Sequence, residues 1–176
     1  GPMPELEALC KALSVQHLSF DDITCSIEES IDRVPLLEQE PKLSLENQNR
    51  IKFLFENNLH DLPNKERPEC HQEGHTYPSV YGRLFGDQPL YTITTGFGSP
   101  GRGRFIHPHK PRVINAREAA RAQAFPDWYW SQIEQLKLSR NNLYKIIGDA
   151  VPSLMVTPLI ASLLPTINEK TVKLAS

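Results

Sequence analysis

Residues 103–130 read GRFIHPHKPRVINAREAARAQAFPDWYW, and this stretch decides how the chain is organised. Asn115 is a favoured N-cap residue, and Glu118 follows it at the spacing of a capping box. Pro126 cannot continue a helix, so the helical segment has to end before it. The spacing therefore predicts a short helix with a capped start and a defined end.

The two sides of this predicted helix differ in chemistry. Arg117 and Arg121 are four residues apart and share one face. Ala119, Ala120 and Ala124 leave a smooth side that permits close packing. We therefore expect the alanines to pack inward.

Charge is divided unevenly along the chain. The formal net charge is -2, but residues 1–75 carry 7 Lys and Arg against 15 Asp and Glu, a balance of -8. Residues 76–176 carry 12 against 6, a balance of +6. A local excess of positive charge is what phosphate binding requires, although a run of charges also suits a solvated surface.

Length and composition indicate one compact domain, because 39% of the 176 residues are hydrophobic. Apolar runs stay short of the roughly 20 residues that span a bilayer, and the N-terminus has no signal pattern. We therefore expect a cytoplasmic protein with no membrane partner. Gly1 and Pro2 resemble a protease scar, which makes Met3 the expected natural start.

Three cysteines, Cys10, Cys25 and Cys70, show no CxxC spacing, which indicates free thiols in a reducing compartment. Zinc sites usually show two paired ligand clusters at regular spacing, and this sequence lacks that pattern. A polar loop is therefore favoured over a metal site. The residues with ligating chemistry are Cys70, His71, His75, His107 and His109.

Apolar residues recur at helical spacing in three segments of the first third, at residues 4–15, 21–34 and 44–58. In the third segment Ser44 is followed three residues later by Asn47, which predicts a capped start. The segments predicted to lack regular structure are Pro35–Lys42 and Asp61–Pro78.

Residues 89–97, PLYTITTGF, are β-branched and aromatic and give the best strand signal in the sequence. The following GFGSPGRGRF holds four glycines and a proline, which predicts a loop. Such a loop lets backbone approach a ligand closely. Near the C-terminus, a new helix is predicted to start at Pro152, and Pro158 to kink or shorten it.

YGRL, TITT, GFGSPGRGRFIHP, NAREAARAQAFPD and IGDAVP occur in this order. Together they resemble the C-terminal third of cytosine-5 DNA methyltransferases, where a target-recognition region precedes two motifs usually written RxLTxREAARxQxFPD and IGNAVPP. The resemblance covers roughly Arg50 to Leu164. The sequence departs from the family at VIN, in place of leucine-threonine, and at Asp149, in place of asparagine.

The resemblance implies an α+β fold. A small target-recognition domain of short strands and loops would be followed by C-terminal helices that complete a partner's doubly wound α/β catalytic domain. The implied divisions are a cloning scar (1–2), an N-terminal helical and linker segment (3–49), the recognition region with the capped helix (50–126), the C-terminal motif helices (127–165) and a tail (166–176).

The resemblance also implies site residues. An arginine can read guanine with two hydrogen bonds, and the alternative for each arginine is a contact with phosphate alone. The candidates for DNA contact are Arg83, Thr92, Thr94, Thr95, Arg102 and Arg104. S-adenosylmethionine would contact Asp149 and Ala150, where the aspartate adds a charge beside a charged ligand. The residues expected to organise the motif helix are Arg112, Arg117, Glu118 and Arg121.

The family's nucleophile is a cysteine in a Pro-Cys-Gln context, and the three cysteines here stand in LCK, TCS and ECH. No catalytic residue is therefore expected in this chain. The resemblance implies the DNA-recognition subunit of a split cytosine-5 methyltransferase of a restriction-modification system. It would bind double-stranded DNA, share S-adenosylmethionine with a catalytic partner in a heterodimer, and be inactive alone. The alternatives are a catalytically silent DNA-binding or regulatory module and an isolated fragment.

Overall fold

The computed structural model describes residues 35–72, 79–131 and 138–162. Two compact units divide the chain: one spans His17–Ala150, and residues 151–162 belong to the other. The helices expected at residues 4–15 and 21–34 lie outside the described residues. The helices of the first unit are α1 (Pro35–Glu38), α2 (Leu45–Glu56), α3 (Ala116–Ala122), α4 (Asp127–Ser131) and α5 (Arg140–Asp149).

Helix α2 begins as the sequence predicts. The Ser44 hydroxyl accepts a hydrogen bond from the backbone N–H of Asn47 at 3.3 Å, which satisfies one of the free donors of the first turn. Ile51 and Leu54 lie on the inner face and are fully buried. This helix therefore contributes its apolar stripe to the core of the unit.

The capping box that the sequence predicts for α3 is confirmed. The Asn115 side chain accepts from the backbone N–H of Glu118, and the Glu118 carboxylate accepts from the backbone N–H of Asn115, both at 2.9 Å. Ala119 and Ala120 are fully buried where α3 packs against α1 and α5. Ala124 lies beyond the end of the helix with a φ of 60°, so it does not belong to the smooth side as predicted.

The prediction of a linker at residues 35–42 is wrong in part, because Pro35–Glu38 is helical. Leu37 of this turn is buried in the core, which supplies the packing that a linker would lack. Within residues 61–72 the chain is largely irregular, as predicted. It forms two 3₁₀ turns there, Asn64–Glu66 and Glu69–His71.

The strand predicted at residues 89–97 does not form, since residues 90–94 carry no helix, strand or bridge. Gly148 of α5 lies directly against this backbone: a Cβ atom built on Gly148 would be 2.3 Å from the Thr95 nitrogen and 2.5 Å from the Thr94 carbonyl carbon. Helix α5 therefore packs against the backbone at Thr94 and Thr95, near the end of the predicted strand.

Isolated bridges connect the middle of the unit. Arg83 pairs with Ile106 in parallel, and Ile106 pairs with Val113 in antiparallel orientation. Ile106 and Val113 are fully buried, so the three chain segments meet in the core. The regular structure of the described residues is otherwise helical, and the α+β class stays a prediction.

In the second unit, helix α6 covers residues 153–162. The Pro152 carbonyl accepts from the backbone N–H of Met155 at 3.0 Å, which places Pro152 just before the helix. Pro158 is predicted to kink or shorten this helix, and the shortening does not occur, since the helix continues past Pro158 to residue 162. Proline removes only one backbone donor at this position.

By length and composition, the stretch Arg140–Ser162 is long and apolar enough to cross a membrane. This is weak evidence for a span, because helices of soluble proteins can pass the same test. The chain also leaves helical geometry at residues 150–152. The absence of a membrane partner stays a prediction.

Candidate nucleic-acid interface

The TITT segment presents its threonines to solvent. Thr92, Thr94 and Thr95 are exposed, whereas Ile93 between them is buried. Phe97 is fully buried, and its backbone N–H donates to the Thr94 carbonyl at 3.1 Å. Two apolar anchors therefore hold a short polar surface in place.

Arg102 is the exposed arginine of the glycine loop. Its aliphatic stem packs over Gly96, where a Cβ atom would lie 3.0 Å from the Arg102 Cγ. Among the residues that the structure describes, its guanidinium has no polar partner. The loop thus carries a positive charge that is available to a ligand.

Arg104, two residues later, is buried and only 7% exposed. Its guanidinium donates to the carbonyl oxygens of His60 and Arg83, at 3.0 and 2.9 Å, and pairs with the Asp61 carboxylate. A DNA contact of Arg104 stays a prediction. Its contacts within the chain do occupy both Nη groups, and the Nε group is buried without a hydrogen-bond partner among the described residues.

Arg83, the third predicted arginine, is half-buried. Its Nε and Nη2 atoms donate to the Pro108 carbonyl at 2.8 and 2.6 Å. The guanidinium also lies over the Phe55 ring, 4.1 Å from its centroid. This side chain joins α2 to the HPH segment.

Arg112 and Glu118 form a bidentate ion pair. Nη1 and Nη2 of Arg112 donate to the two carboxylate oxygens of Glu118 at 2.8 and 2.6 Å. Burial alone raises the pKa of Glu118, but the hydrogen bonds and charge of Arg112 outweigh it and the pKa is lowered. Glu118 therefore stays ionised and serves both the pair and the capping box.

Arg117 and Arg121 converge on Asp127 at the start of α4. Arg121 donates to both oxygens of Asp127, at 3.1 and 2.6 Å, and Arg117 donates at 3.4 Å. Arg117 also pairs with Glu38 at 3.3 Å. The hydrogen bond from Arg121 is the main reason why the pKa of Asp127 is lowered. The basic face of α3 thus engages carboxylates of the same chain.

The IGDAVP segment packs directly on residues 92–105, which we call the recognition loop after the role that the family resemblance predicts for it. Besides the contact of Gly148 with Thr94 and Thr95, a Cβ atom on Gly98 would lie 2.2 Å from the ring of Tyr144. Gly98 and Gly148 therefore let the loop and α5 approach each other closely.

Asp149 and Ala150 end this segment. Asp149 is exposed and pairs with Lys145, four residues earlier on α5. Ala150 is half-buried, and its carbonyl accepts from the side chain of Gln123 at 3.3 Å.

Within residues 35–72, 79–131 and 138–162, no three His, Cys, Asp or Glu side chains are grouped to hold a metal ion. His75 lies outside these ranges. His107 is buried, and its Nδ1 accepts from the backbone N–H groups of His109 and Lys110 at 2.9 and 3.1 Å. Both histidines of HPH thus belong to one turn, which His107 holds through its ring.

Sequence reasoning missed several residues that build the site. Gln123, Tyr144 and Gly148 make the contacts between the motif segments, and Asp127 receives both arginines of α3. Gln123 and Asp127 stand in the quoted NAREAARAQAFPD segment, so their place beside the arginines was a usable signal. Tyr144 has no comparable signal.

Comparison with known proteins gives matches across this region. The family model described as C-5 cytosine-specific DNA methylase matches residues 24–164. The chain is 53% identical over 111 residues to the Type II methyltransferase M1.BsuMI of Bacillus subtilis (strain 168), covering 62% of this chain and 25% of that protein. It is 44% identical over 95 residues to the Type II methylase M.HgiDII of Herpetosiphon aurantiacus, covering 52% and 26%. The matches thus span about a quarter of the length of these curated relatives.

Proposed function

The chain belongs to the family of C-5 cytosine-specific DNA methylases, and on that premise we propose that it is the DNA-recognition subunit of a split DNA (cytosine-5)-methyltransferase. In this proposal it binds duplex DNA and completes the site for S-adenosylmethionine. A catalytic partner chain supplies the nucleophilic cysteine. The two form a heterodimer in the cytoplasm.

One observation carries the recognition part of the proposal: Arg102 and the exposed threonines share one loop, and this loop is packed on α5. Methylating C5 of a cytosine in a duplex requires the base to leave the stack, which costs a few kcal/mol. A rigid polar surface that holds the opened duplex serves this purpose. Because such a loop is already ordered, DNA binding costs little further conformational entropy. Thr92, Thr94, Thr95 and Arg102 are our candidates for these contacts.

The basic residues divide into two roles in this proposal. Arg102 is the candidate for contact with guanine or phosphate. Arg104 and Arg83 hold the loop from behind, because their guanidinium groups bond to backbone carbonyls of this chain. The arginines of the motif helix, Arg117 and Arg121, likewise support the scaffold through Asp127.

The family uses S-adenosylmethionine as its methyl donor, and Asp149 and Ala150 are the candidates for contact with it. These residues fit the ligand, since the exposed Asp149 carboxylate can accept hydrogen bonds from its amino group. Lys145 keeps this carboxylate oriented and offsets its charge. Bound S-adenosylmethionine would supply an electrophilic methyl group.

The catalytic partner is proposed on two grounds. The cysteines of these 176 residues stand outside a Pro-Cys-Gln context. In addition, α6 exposes Met155, Leu159 and Ile160, which form an apolar surface of the kind that marks a protein interface. We expect an interface above roughly 1,000 Å², as in specific assemblies.

The test is transfer of a radiolabelled methyl group from S-adenosylmethionine to duplex DNA. We expect no transfer by the chain alone and transfer to cytosine C5 after mixing with a methyltransferase chain that holds the Pro-Cys-Gln motif. Transfer by the purified chain alone would refute the split-enzyme proposal. A complex that binds DNA yet transfers no methyl group would favour the alternative, a catalytically silent DNA-binding module.

A further inference from the structure

Tyr91 is an exposed aromatic side chain at the edge of the proposed DNA surface. It is 49% exposed and immediately precedes Thr92, the first residue of the recognition loop. Ile93 follows and is buried, so it anchors the chain at this point. The Tyr91 ring therefore lies beside the threonines that are the candidates for DNA contact.

The Tyr91 ring belongs to a cluster of four planar side chains. The Cζ atom of Arg104 lies over the Tyr91 ring, 5.3 Å from its centroid, and over the Phe85 ring, 5.4 Å from its centroid. Phe85 in turn stacks on the His60 ring, with the centroids 4.0 Å apart and the planes at 14°. Tyr91 is the most exposed member of this cluster.

The Arg104 guanidinium is held in place by groups of the same chain. Its Nη1 atom donates to the carbonyl oxygens of His60 and Arg83, and its Nη2 atom pairs with the Asp61 carboxylate. A cation over an aromatic face is attracted by the ring quadrupole, so the fixed guanidinium also orients Tyr91. Because the guanidinium covers one face of the ring and about half of the residue stays exposed, the opposite face is open to solvent.

An open aromatic face suits one kind of DNA group. In a paired duplex, each base is covered by its neighbours in the stack, and proteins reach only the base edges in the grooves. A base that has left the stack presents its face, and such a base stacks favourably on an aromatic side chain. The methyl transfer proposed above produces an unstacked base when it opens the duplex.

We propose that Tyr91 is a stacking platform for an unpaired base of the opened DNA duplex. The identity of the ligand as DNA rests on the proposed function, whereas the preference for an unpaired base rests on the open ring face. The place of Tyr91 next to Thr92 lets one strand contact the loop while a displaced base of the same duplex reaches the ring. A ring that is already oriented costs little further conformational entropy on binding.

The test compares two duplexes of the same sequence, one fully paired and one with a single bulged nucleotide at its centre. We expect the full chain to bind the bulged duplex about tenfold more tightly than the paired one. Tyr91→Leu removes the aromatic face and should abolish this preference. Tyr91→Phe keeps the ring and should retain the preference.

Tyr129 provides the matched control, because it is a tyrosine on α4 that is 39% exposed. Tyr129→Leu should leave the preference for the bulged duplex unchanged. Urea denaturation of each variant separates an effect on DNA binding from an effect on folding. With 2-aminopurine as the bulged base, we expect lower fluorescence in complexes of the unchanged chain and of Tyr91→Phe than in the complex of Tyr91→Leu.

The outcomes separate the two proposals. Equal affinity of the unchanged chain for both duplexes, or a preference that Tyr91→Leu alters no more than Tyr129→Leu does, would overturn the platform and leave the proposed function standing. Equal losses in Tyr91→Leu and Tyr91→Phe would assign the effect to the hydroxyl group and also overturn it.

Two further results would contradict the platform. If Tyr91→Leu weakens assembly with the catalytic partner but not binding to the bulged duplex, the ring belongs to the protein interface instead. If neither the chain nor the reconstituted enzyme binds either duplex, the proposed function is refuted, and DNA as the ligand of Tyr91 is refuted with it.

Discussion

The side-chain amide nitrogen of Gln123 donates to the backbone carbonyl oxygen of Ile147 at 3.0 Å. The same nitrogen lies 3.3 Å from the carbonyl oxygen of Ala150. The last carbonyls of a helix lack the N–H donors of a following turn, so the C-terminal end of α5 needs a hydrogen-bond donor from another group. Gln123, which follows α3, supplies the donor and connects the NAREAARAQAFPD segment to IGDAVP.

Replacing Gln123 by methionine tests this connection. Met has nearly the same length and no N–H donor, so the buried Ile147 carbonyl keeps only the long bond from the Ala150 backbone N–H, at 3.4 Å, and the Ala150 carbonyl loses the Gln123 donor. We expect the free energy of unfolding to fall by about 1–3 kcal/mol, measured by urea denaturation. Gln48→Met is the control, because Gln48 donates to the Leu43 carbonyl at 3.0 Å on an exposed surface. Equal losses of unfolding free energy in the two variants would show that the hydrogen bonds of Gln123 stabilise the chain no more than an exposed one does.

The two ends of α3 differ in how far the sequence predicts them. Its start depends on Asn115 and Glu118, three residues apart, and a local capping box can be recognised from spacing alone. The bond from Gln123 reaches Ile147, 24 residues along the chain. Only the packing of α3 against α5 brings these groups together, and no local pattern encodes that packing.

Gly148→Ala tests the close approach of α5 to the recognition loop. The added methyl would lie 2.3 Å from the Thr95 backbone nitrogen, and backbone cannot move aside as a flexible side chain does. We expect the variant to lose about 1–3 kcal/mol of stability, or more, by thermal or urea unfolding.

Gly96→Ala is the matched control for this substitution. The nearest atoms there belong to the exposed side chain of Arg102, which can give way. We therefore expect a much smaller loss. If Gly148→Ala is as stable as Gly96→Ala, α5 does not hold the loop at this point.

The strand predicted around Ile93 shows another limit of local sequence patterns. Consecutive β-branched residues around Ile93 favour a strand, yet a strand also needs a neighbour with which to pair. Here α5 lies against Thr94 and Thr95, which are separated from Gly148 by more than 50 positions in the sequence. The burial of Ile93 could be inferred from its apolar character, whereas the missing ladder could not.

The lowered pKa of His107 predicts that the stability of the chain depends on pH. Burial is the main reason why its pKa is lowered from 6.5 to about 4, and the opposing effect of Glu118 does not offset it. The folded pKa is below the unfolded one, so the unfolded chain binds more protons between these values. The stability that neutral His107 contributes is therefore fully present above pH 6.5 and is lost as the pH falls toward 4. The slope of the free energy of unfolding approaches about 1.4 kcal/mol per pH unit.

The check is the free energy of unfolding measured from pH 7 to pH 5. His107→Asn should flatten this slope, because the asparagine oxygen can accept from the backbone N–H groups of His109 and Lys110 without titrating. His109→Asn, at an exposed position, should retain the slope. A wild-type slope that survives in His107→Asn would assign it to other groups.

Arg102 and Arg104 show where sequence reasoning about the site stops. They are two residues apart in one glycine loop, and both carry the same chemistry. The carbonyls of His60 and Arg83 that satisfy Arg104 are 44 and 21 residues away in sequence. Loop residues follow no regular period, so nothing local tells which arginine turns inward.

The two arginines should respond differently to replacement by alanine. Arg104→Ala removes a buried guanidinium together with its hydrogen bonds to the His60 and Arg83 carbonyls and its ion pair with Asp61, so we expect a loss of about 1–3 kcal/mol of stability. Arg102→Ala removes an exposed group and should change stability by less than about 0.5 kcal/mol. Both losses are measured by urea denaturation of the purified chain.

DNA binding by the reconstituted enzyme then decides the role of Arg102. If Arg102 reads a guanine, Arg102→Ala should relax the sequence preference at one base position by roughly 1–3 kcal/mol. If it contacts only a phosphate, binding to all sequences should weaken alike and the salt slope should fall by about 1. A panel of duplexes at several salt concentrations separates these results, and Lys110→Ala, at another exposed basic position, controls for the loss of one charge. Unchanged affinity, preference and salt slope in Arg102→Ala would remove this loop from the DNA interface.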